Sequence, residues 1–383
     1  MNSKKNEFCL NFVLVVTSIL FPILLIELFV TFVLDIRVPS YDPGRFFKND
    51  PITGWSKKTD SEGYWYLYFD GTKNYVRNNS HGFTDRERKI VKSKPRIALI
   101  GDSTTEFWEA EEENRGQFLM EERLKGEWEV LNFGVRGFAT DQTYLLLKHS
   151  GMKFSPDVVI YTFCINDIGE NGVTSYKPYF HLEEGKKQNP ILKNFPVPER
   201  VDWNKKSQIS FHEGVDKVLN HYSFLYRRVS QIIKFNPVGR NANFSLDEQG
   251  ELKMYKKVYD TWDEHLWALQ FALILEMKRF LDSQGVRFLL VEGVYGNVLD
   301  PERMAWSIDH YGDVFDPEKV TRLLKEFSER EQIPFLSIQD QVKRRRIPIT
   351  DIMHPEDYVH LNAAGIKLYS DWVLEKLQSL NWL

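Results

Sequence analysis

RIALIGDSTT, residues 96–105, is the stretch that decides how the chain is read. The apolar run Ile97 to Ile100 is too short for a helix and does not alternate with polar residues. That pattern predicts a strand, Arg96–Ile100, covered on both faces. Gly101 lets the backbone turn tightly, and Asp102-Ser103-Thr104-Thr105 then supplies the polar start of a helix. Strand, glycine turn and helix start together form the opening unit of a parallel α/β sheet.

The same rhythm extends downstream. Trp128–Asn132, Asp157–Phe163, Val286–Glu292 and Ile333–Ile338 read as further buried strands, and Trp262–Gln284 and Pro317–Gln332 carry helical apolar spacing. The pattern predicts a parallel sheet with helices on both faces. About 120 residues separate the third strand from the fourth. They hold a polar, Pro-containing stretch, Lys177 to Asn204, and helical-looking pieces around Gly214–Lys234. The expectation is an insertion, about 168–260, lying over the functional edge of the sheet. Upstream, residues 41–94 are rich in aromatics, Gly and Asn. Alternating Tyr64, Tyr66 and Tyr68, a turn at Asp70-Gly71 and then Tyr75-Val76 predict a β-hairpin in a lead-in lobe.

The first 40 residues differ. From Phe8 to Leu34, 21 of 27 residues are hydrophobic and Glu27 is the only formal charge. A hydrocarbon core needs about 20 apolar residues in a helix. The run exceeds a signal-peptide core, and Asp35-Ile36-Arg37-Val38-Pro39 offers no small-x-small cleavage site. It therefore reads as an uncleaved single-pass anchor over 1–40, in which Pro22 is tolerable and Glu27 reaches toward the outer interface. Lys4 and Lys5 precede the span and only Arg37 follows closely. This predicts a cytoplasmic N-terminus and the main folded domain, 95–383, on the extracytoplasmic side.

Composition sets outer limits. With 42% hydrophobic and 27% charged residues the chain is a folded protein, neither a disordered tail nor a multi-span bundle. Fifty Lys+Arg against 54 Asp+Glu leave no basic surplus to suggest nucleic acid as a partner. Cys9 and Cys164 are too few for a disulfide framework. The nine histidines show no recognisable metal-ligand spacing, so neither metal nor cofactor is expected.

Ligands of open α/β sheets bind beyond the C-terminal strand ends, where four segments draw notice. In Gly101-Asp102-Ser103, the serine hydroxyl and its own N–H face one space; taken alone, Ser103 with Glu106 three residues on reads as a helix N-cap and capping box. In Asn132-Phe133-Gly134-Val135-Arg136-Gly137, two glycines bare the backbone to a ligand oxygen, or form a plain turn. In Phe163-Cys164-Ile165-Asn166-Asp167, an Asn amide could steady a developing oxyanion, although Asn-Asp after a strand is also a turn signal. In Asp357-Tyr358-Val359-His360, a carboxylate three residues before a histidine can orient its imidazole.

In this order and at these strand ends, the four segments resemble the SGNH (GDSL-type) hydrolase family over roughly Arg96 to Leu383. Asn79-Ser80-His81-Gly82-Phe83 and Tyr176-Lys177-Pro178-Tyr179-Phe180 look like a membrane-anchored bacterial branch of it. The resemblance implies a flavodoxin-like three-layer α/β/α fold with a five-stranded parallel sheet. It implies Ser103 as nucleophile, His360 as general base and then acid, and Asp357 as the group holding its tautomer. The oxyanion donors would be the N–H of Ser103, the N–H of Gly137 and the Asn166 amide; Asp102 receives no chemical role. Two departures stand out. Cys164 occupies a position where the family commonly has glycine, which would narrow the acyl pocket. Asp351-Ile352-Met353-His354 repeats the Asp-x-x-His spacing, but Leu361-Asn362-x-x-Gly365 follows His360 as in the family, and Pro355 follows His354.

The expected activity is a serine esterase removing or transferring a short acyl group on an extracytoplasmic glycan. Two alternatives are lipase- or lysophospholipase-like hydrolysis of lipid acyl esters, and a catalytically silent glycan-binding protein on the same scaffold.

Overall fold

The computed structural model of the chain describes residues 43–67, 73–183, 185–186, 188–198, 251–312, 314–354 and 357–383, with single positions and short runs between 11 and 29. By internal contacts the chain divides into two compact units. One comprises Met1–Tyr41 with Val201–Ser245, the other Asp42–Arg200 with Leu246–Leu383. In the first unit, the described residues 21–27 are helical, with Phe21, Leu24, Leu25 and Ile26 exposed. No helix among the described residues is long and apolar enough to cross a membrane. The rest of the expected anchor, Cys9 included, lies outside the described residues, as do the helical pieces expected around Gly214–Lys234.

The second unit begins with two hairpins. β1 (Phe47–Asp50) pairs antiparallel with β2 (Gly54–Lys57). Asp50 closes their turn: its Oδ1 accepts the N–H groups of Ile52 and Thr53 at 2.8 and 3.0 Å. β3 (Glu62–Tyr66) pairs antiparallel with β4 (Lys73–Arg77), so the expected hairpin is present, while its Asp70-Gly71 turn lies outside the described residues. Phe46, Trp65, Leu67 and Val76 pack with Trp108 into a buried cluster, which seats this lobe on the segment after Ser103.

The central sheet contains β5 (Arg96–Ile100), β6 (Glu129–Asn132) and β7 (Val158–Phe163). Between its third and fourth strands, β8 (Tyr179–His181) and β9 (Ile191–Lys193) form a small antiparallel hairpin within the insertion. β10 (Arg287–Glu292) and β11 (Phe335–Ser337) complete the sheet, whose order is β11-β10-β7-β5-β6 with every pair parallel. Numbered by their place in the chain, the sheet strands run 2-1-3-4-5, the order of flavodoxin-like doubly wound folds. β5 and β7 are buried at every residue because helices cover both faces, which is why the strands read as continuous apolar runs.

Alternate strand residues sort onto the two faces. Leu99, Ile160 and Val291 pack with Met120, Tyr369, Trp372 and Val373 from helices Gly116–Arg123 and Ala363–Ser379. On the other face, Tyr161 donates to or accepts from the Thr140 hydroxyl at 2.7 Å, and the Phe163 ring lies 6.3 Å from that of Trp267. Those partners belong to helices Thr140–His149 and Thr261–Ser283. The expected strand Ile333–Ile338 is shorter. Ser337 caps a helix, Ile338–Arg345, by accepting the Asp340 N–H, so Ile338 turns helical.

Candidate active site

β5 ends at Ile100, and the chain turns through Gly101 under close restraint. A Cβ there would lie 2.3 Å from Thr105 Oγ1 and 2.9 Å from the Thr162 carbonyl, so only glycine fits. The one-turn helix Ser103–Glu106 follows, and its N-cap is Asp102, not Ser103. Asp102 Oδ1 accepts the Thr104 N–H at 2.9 Å and its hydroxyl at 2.7 Å. The capping reading of Ser103 is thereby corrected. Asp and Ser cap with similar preference, and Asp102 reaches the free N–H first, which releases the Ser103 hydroxyl.

That hydroxyl lies 2.8 Å from His360 Nε2 and donates to it when the imidazole is neutral. His360 Nδ1–H donates to Asp357 Oδ2 at 2.7 Å, and Asp357 Oδ1 accepts the backbone N–H groups of Val359 and His360 at 3.0 and 3.1 Å. Both carboxylate oxygens are therefore engaged, and in the neutral imidazole the bond at Nδ1 leaves Nε2 with its lone pair toward Ser103. The segment holds its place because Asn362 caps the helix Ala363–Ser379, accepting the Gly365 N–H at 3.0 Å. A Cβ on Gly365 would fall 2.2 Å from the Ile352 carbonyl, so the Asn-x-x-Gly spacing serves close packing.

His354 lies elsewhere. Its Nε2 meets the Glu109 carbonyl at 3.0 Å, away from the Ser103 hydroxyl. Asp351, its partner by spacing, has an exposed side chain in the short helix Ile349–Ile352.

Gly134 and Asn166 border the same serine turn. A Cβ on Gly134 would meet the Glu106 nitrogen at 2.7 Å, so the loop after β6 presses on the helix of Ser103. Gly137 has φ +76°, which favours glycine. Asn166 Nδ2 donates one hydrogen to Asp102 Oδ2 at 3.2 Å, leaving the other for a ligand. Among the described residues, the N–H groups of Ser103 and Gly137 donate no hydrogen bond within the chain. The Ser103 N–H and the Asn166 amide are thus available at the serine turn. Asp102, given no role from sequence, links the serine turn to Asn166.

The electrostatics depend on residues to which the sequence reading gave no part in the site's chemistry. Glu106 pairs with buried Lys57 at 2.9 Å and with Arg136 at 3.1 Å, and Arg136 reaches Glu109 at 2.6 Å. Burial disfavours a charged His360, but the charge of Glu109 and then the hydrogen bond and charge of Asp357 outweigh it, raising the imidazole to about 9. Burial pushes the Asp357 carboxyl up, and the His360 hydrogen bond and charge more than reverse this, holding it below its ordinary value. Glu251 is pushed up to about 7 by burial and by the charge of Asp102. No local spacing marks Glu109 or Glu251, since each acts across the fold.

Cys164 is buried, and its thiol is raised well above its ordinary value by burial and by the charges of Asp102 and Asp167. It lines, with Tyr255, Glu292, Tyr295 and Gln339, a cavity of about 10 Å³, room for about one water. Among the described residues, no cluster of His, Cys, Asp and Glu is arranged to hold a metal ion.

A scan against protein-family models finds no match, and no curated protein matches significantly. Solved structures do show similarity over part of the chain. One is a catalytic mutant of an acetylxylan esterase from Geobacillus stearothermophilus, at 15% identity over 76% of this chain and 96% of that one, TM-score 0.37. Another is a GDSL-like lipase from Bacteroides thetaiotaomicron, at 11% identity over 76% and 91%, TM-score 0.35. A third is a lipase/acylhydrolase from Enterococcus faecalis, at 12% identity over 74% and 96%, TM-score 0.37. Likenesses this distant carry no function, and the functional reading rests on the site itself.

Proposed function

We propose that this chain is a serine ester hydrolase of the SGNH (GDSL) type, acting on a short acyl ester of a glycan or transferring that acyl group. The observation that carries the reading is the hydrogen-bonded series Ser103–His360–Asp357, at 2.8 and 2.7 Å. A serine hydroxyl is a weak nucleophile at neutral pH and needs an adjacent base. In this mechanism His360 Nε2 takes the proton as Ser103 Oγ attacks the ester carbonyl. The Ser103 and Gly137 N–H groups and the Asn166 amide receive the oxyanion. The tetrahedral adduct then collapses, His360 returns the proton to the departing alcohol, and an acyl-serine remains. Water activated by His360 releases the acid, or a sugar hydroxyl takes the acyl group in its place.

The anchor belongs to the same proposal: the apolar run 8–34 holds the catalytic unit at the outer face of a membrane. Labelling an engineered cysteine in the lead-in lobe with a membrane-impermeant maleimide on intact cells tests the orientation. Lack of labelling until the cells are lysed would refute it.

Activity is tested with p-nitrophenyl acetate and the full-length chain in detergent. Turnover disappears in Ser103→Ala and His360→Ala; a wild-type protein no faster than either variant would refute the esterase reading. Preference for decanoyl over acetyl esters would move the substrate from a glycan acetyl to a lipid.

A further inference from the structure

Trp55 belongs to β2 in the lead-in lobe, remote in sequence from Ser103, His360, Asp357 and the oxyanion donors. Its indole Nε1–H donates to the carbonyl oxygen of Arg136 at 3.2 Å. That carbonyl shares its peptide unit with the N–H of Gly137. The unit is trans, so its C=O and N–H point in opposite directions within one plane. A hydrogen bond that fixes the carbonyl therefore aims the N–H.

The surroundings hold this peptide from several sides. A Cβ on Gly137 would lie 3.5 Å from the Trp55 ring, so the indole rests against the glycine. The Arg136 guanidinium is tied to Glu106 and Glu109 at 3.1 and 2.6 Å. Beyond the glycine, the Phe138 N–H donates to the Val135 carbonyl at 3.1 Å, closing the turn. Trp55 is itself braced by the Phe138 and Tyr176 rings, 5.4 and 6.0 Å away. Against all this restraint, the Gly137 N–H has no partner among the described residues. Gly137 is exposed, so its N–H is open to a ligand, and a donor aimed in advance needs no reorganisation when charge develops.

We propose that Trp55 is a positioning residue for ester cleavage: its indole N–H fixes the Arg136–Gly137 peptide so that the Gly137 N–H is directed at the oxyanion. The lead-in lobe thereby completes the oxyanion site, and a bare aromatic ring cannot replace the indole. Polarisation of the carbonyl by the indole also makes the peptide N–H a better donor. This inference rests on the esterase reading.

The experiment compares full-length wild type, Trp55→Phe and Trp55→His. Trp55→Phe keeps an aromatic ring and removes the donor, and Trp55→His keeps a ring N–H. Steady-state kinetics with p-nitrophenyl acetate are measured alongside thermal midpoints and inhibition by a trifluoromethyl ketone, whose serine adduct carries an oxyanion. In Trp55→Phe, kcat falls about 3–10-fold, the worth of one neutral hydrogen bond. The ketone weakens by a similar factor, while KM and the acid limb of the pH profile stay in place. Trp55→His falls less. The proposal is overturned if Trp55→Phe keeps kcat within about twofold of wild type or loses only KM. It is also overturned if both variants lose kcat and thermal stability in equal measure. Ser103→Ala separates the two failures: if it is inactive while Trp55→Phe is unimpaired, the esterase reading stands and this inference alone falls.

Discussion

Replacing Glu109 by Gln removes the charge that contributes most to raising His360, while keeping the side chain's shape. With the imidazole raised to about 9 from an ordinary 6.5, the base is mostly protonated at neutral pH. At pH 7 roughly one molecule in a hundred carries a free Nε2 lone pair. The kcat/KM of the free enzyme should therefore climb about tenfold per pH unit from neutrality and level off near pH 9. Three contributions raise the imidazole, namely the charge of Glu109 and the hydrogen bond and charge of Asp357, and together they overcome burial and Arg136. The largest of three contributions to a rise from 6.5 to about 9 is worth about one pH unit or more. Losing a negative neighbour disfavours the imidazolium, so the acid limb moves down. Glu109→Gln should thus turn over p-nitrophenyl acetate about tenfold faster than wild type at pH 7, with an unchanged plateau. Arg136 keeps its bond to Glu106 at 3.1 Å, which preserves the site's frame. The assay is kcat/KM from about pH 6 to pH 10, with the uncatalysed rate subtracted. A limb that stays in place or moves up, or a lowered plateau without a shifted limb, refutes the electrostatic reasoning.

Three further outcomes are expected. Asp357→Asn lets His360 take the wrong tautomer, and kcat at neutral pH falls by about 10⁴, whereas Asp351→Asn leaves it near wild type. Asn166→Ala removes one oxyanion donor and lowers kcat about 10²–10³-fold with little change in KM; a change confined to KM would assign Asn166 to substrate binding. Lys57→Met leaves Glu106 with Arg136 alone in a buried site. Stability falls by up to about 3 kcal/mol, read by chemical denaturation, and an unchanged midpoint would show that the pair contributes nothing net.

Legibility in the sequence followed the range of each interaction. The Asp357–His360 pair is readable because a hydrogen bond three residues apart is local. The helix Lys319–Arg330 and the strand Arg96–Ile100 are readable because amphipathic spacing and continuous burial leave their periods in the chain. The strand near Ile333–Ile338 was overextended because Ile338 is apolar in either state, and only the cap at Ser337 turns it helical. The N-cap was misplaced by one residue because Asp102 and Ser103 are equally good caps, and propensity alone does not choose between them.

By itself, the sequence determined an α/β chain of five buried strands, an apolar N-terminal run and a small set of polar residues at strand ends. Those properties depend on the order of neighbouring residues. Tertiary structure decided what the residues do together. Ser103 and His360 stand 257 positions apart and meet because strand order sets β5 between β6 and β7, with the final helix packed beneath. Trp55 reaches the Arg136 carbonyl across 81 positions, and Glu109 faces His360 from another loop. No period or spacing encodes such contacts, because they arise only when the lead-in lobe and the sheet bury their apolar faces against each other and bring distant polar groups within hydrogen-bond range.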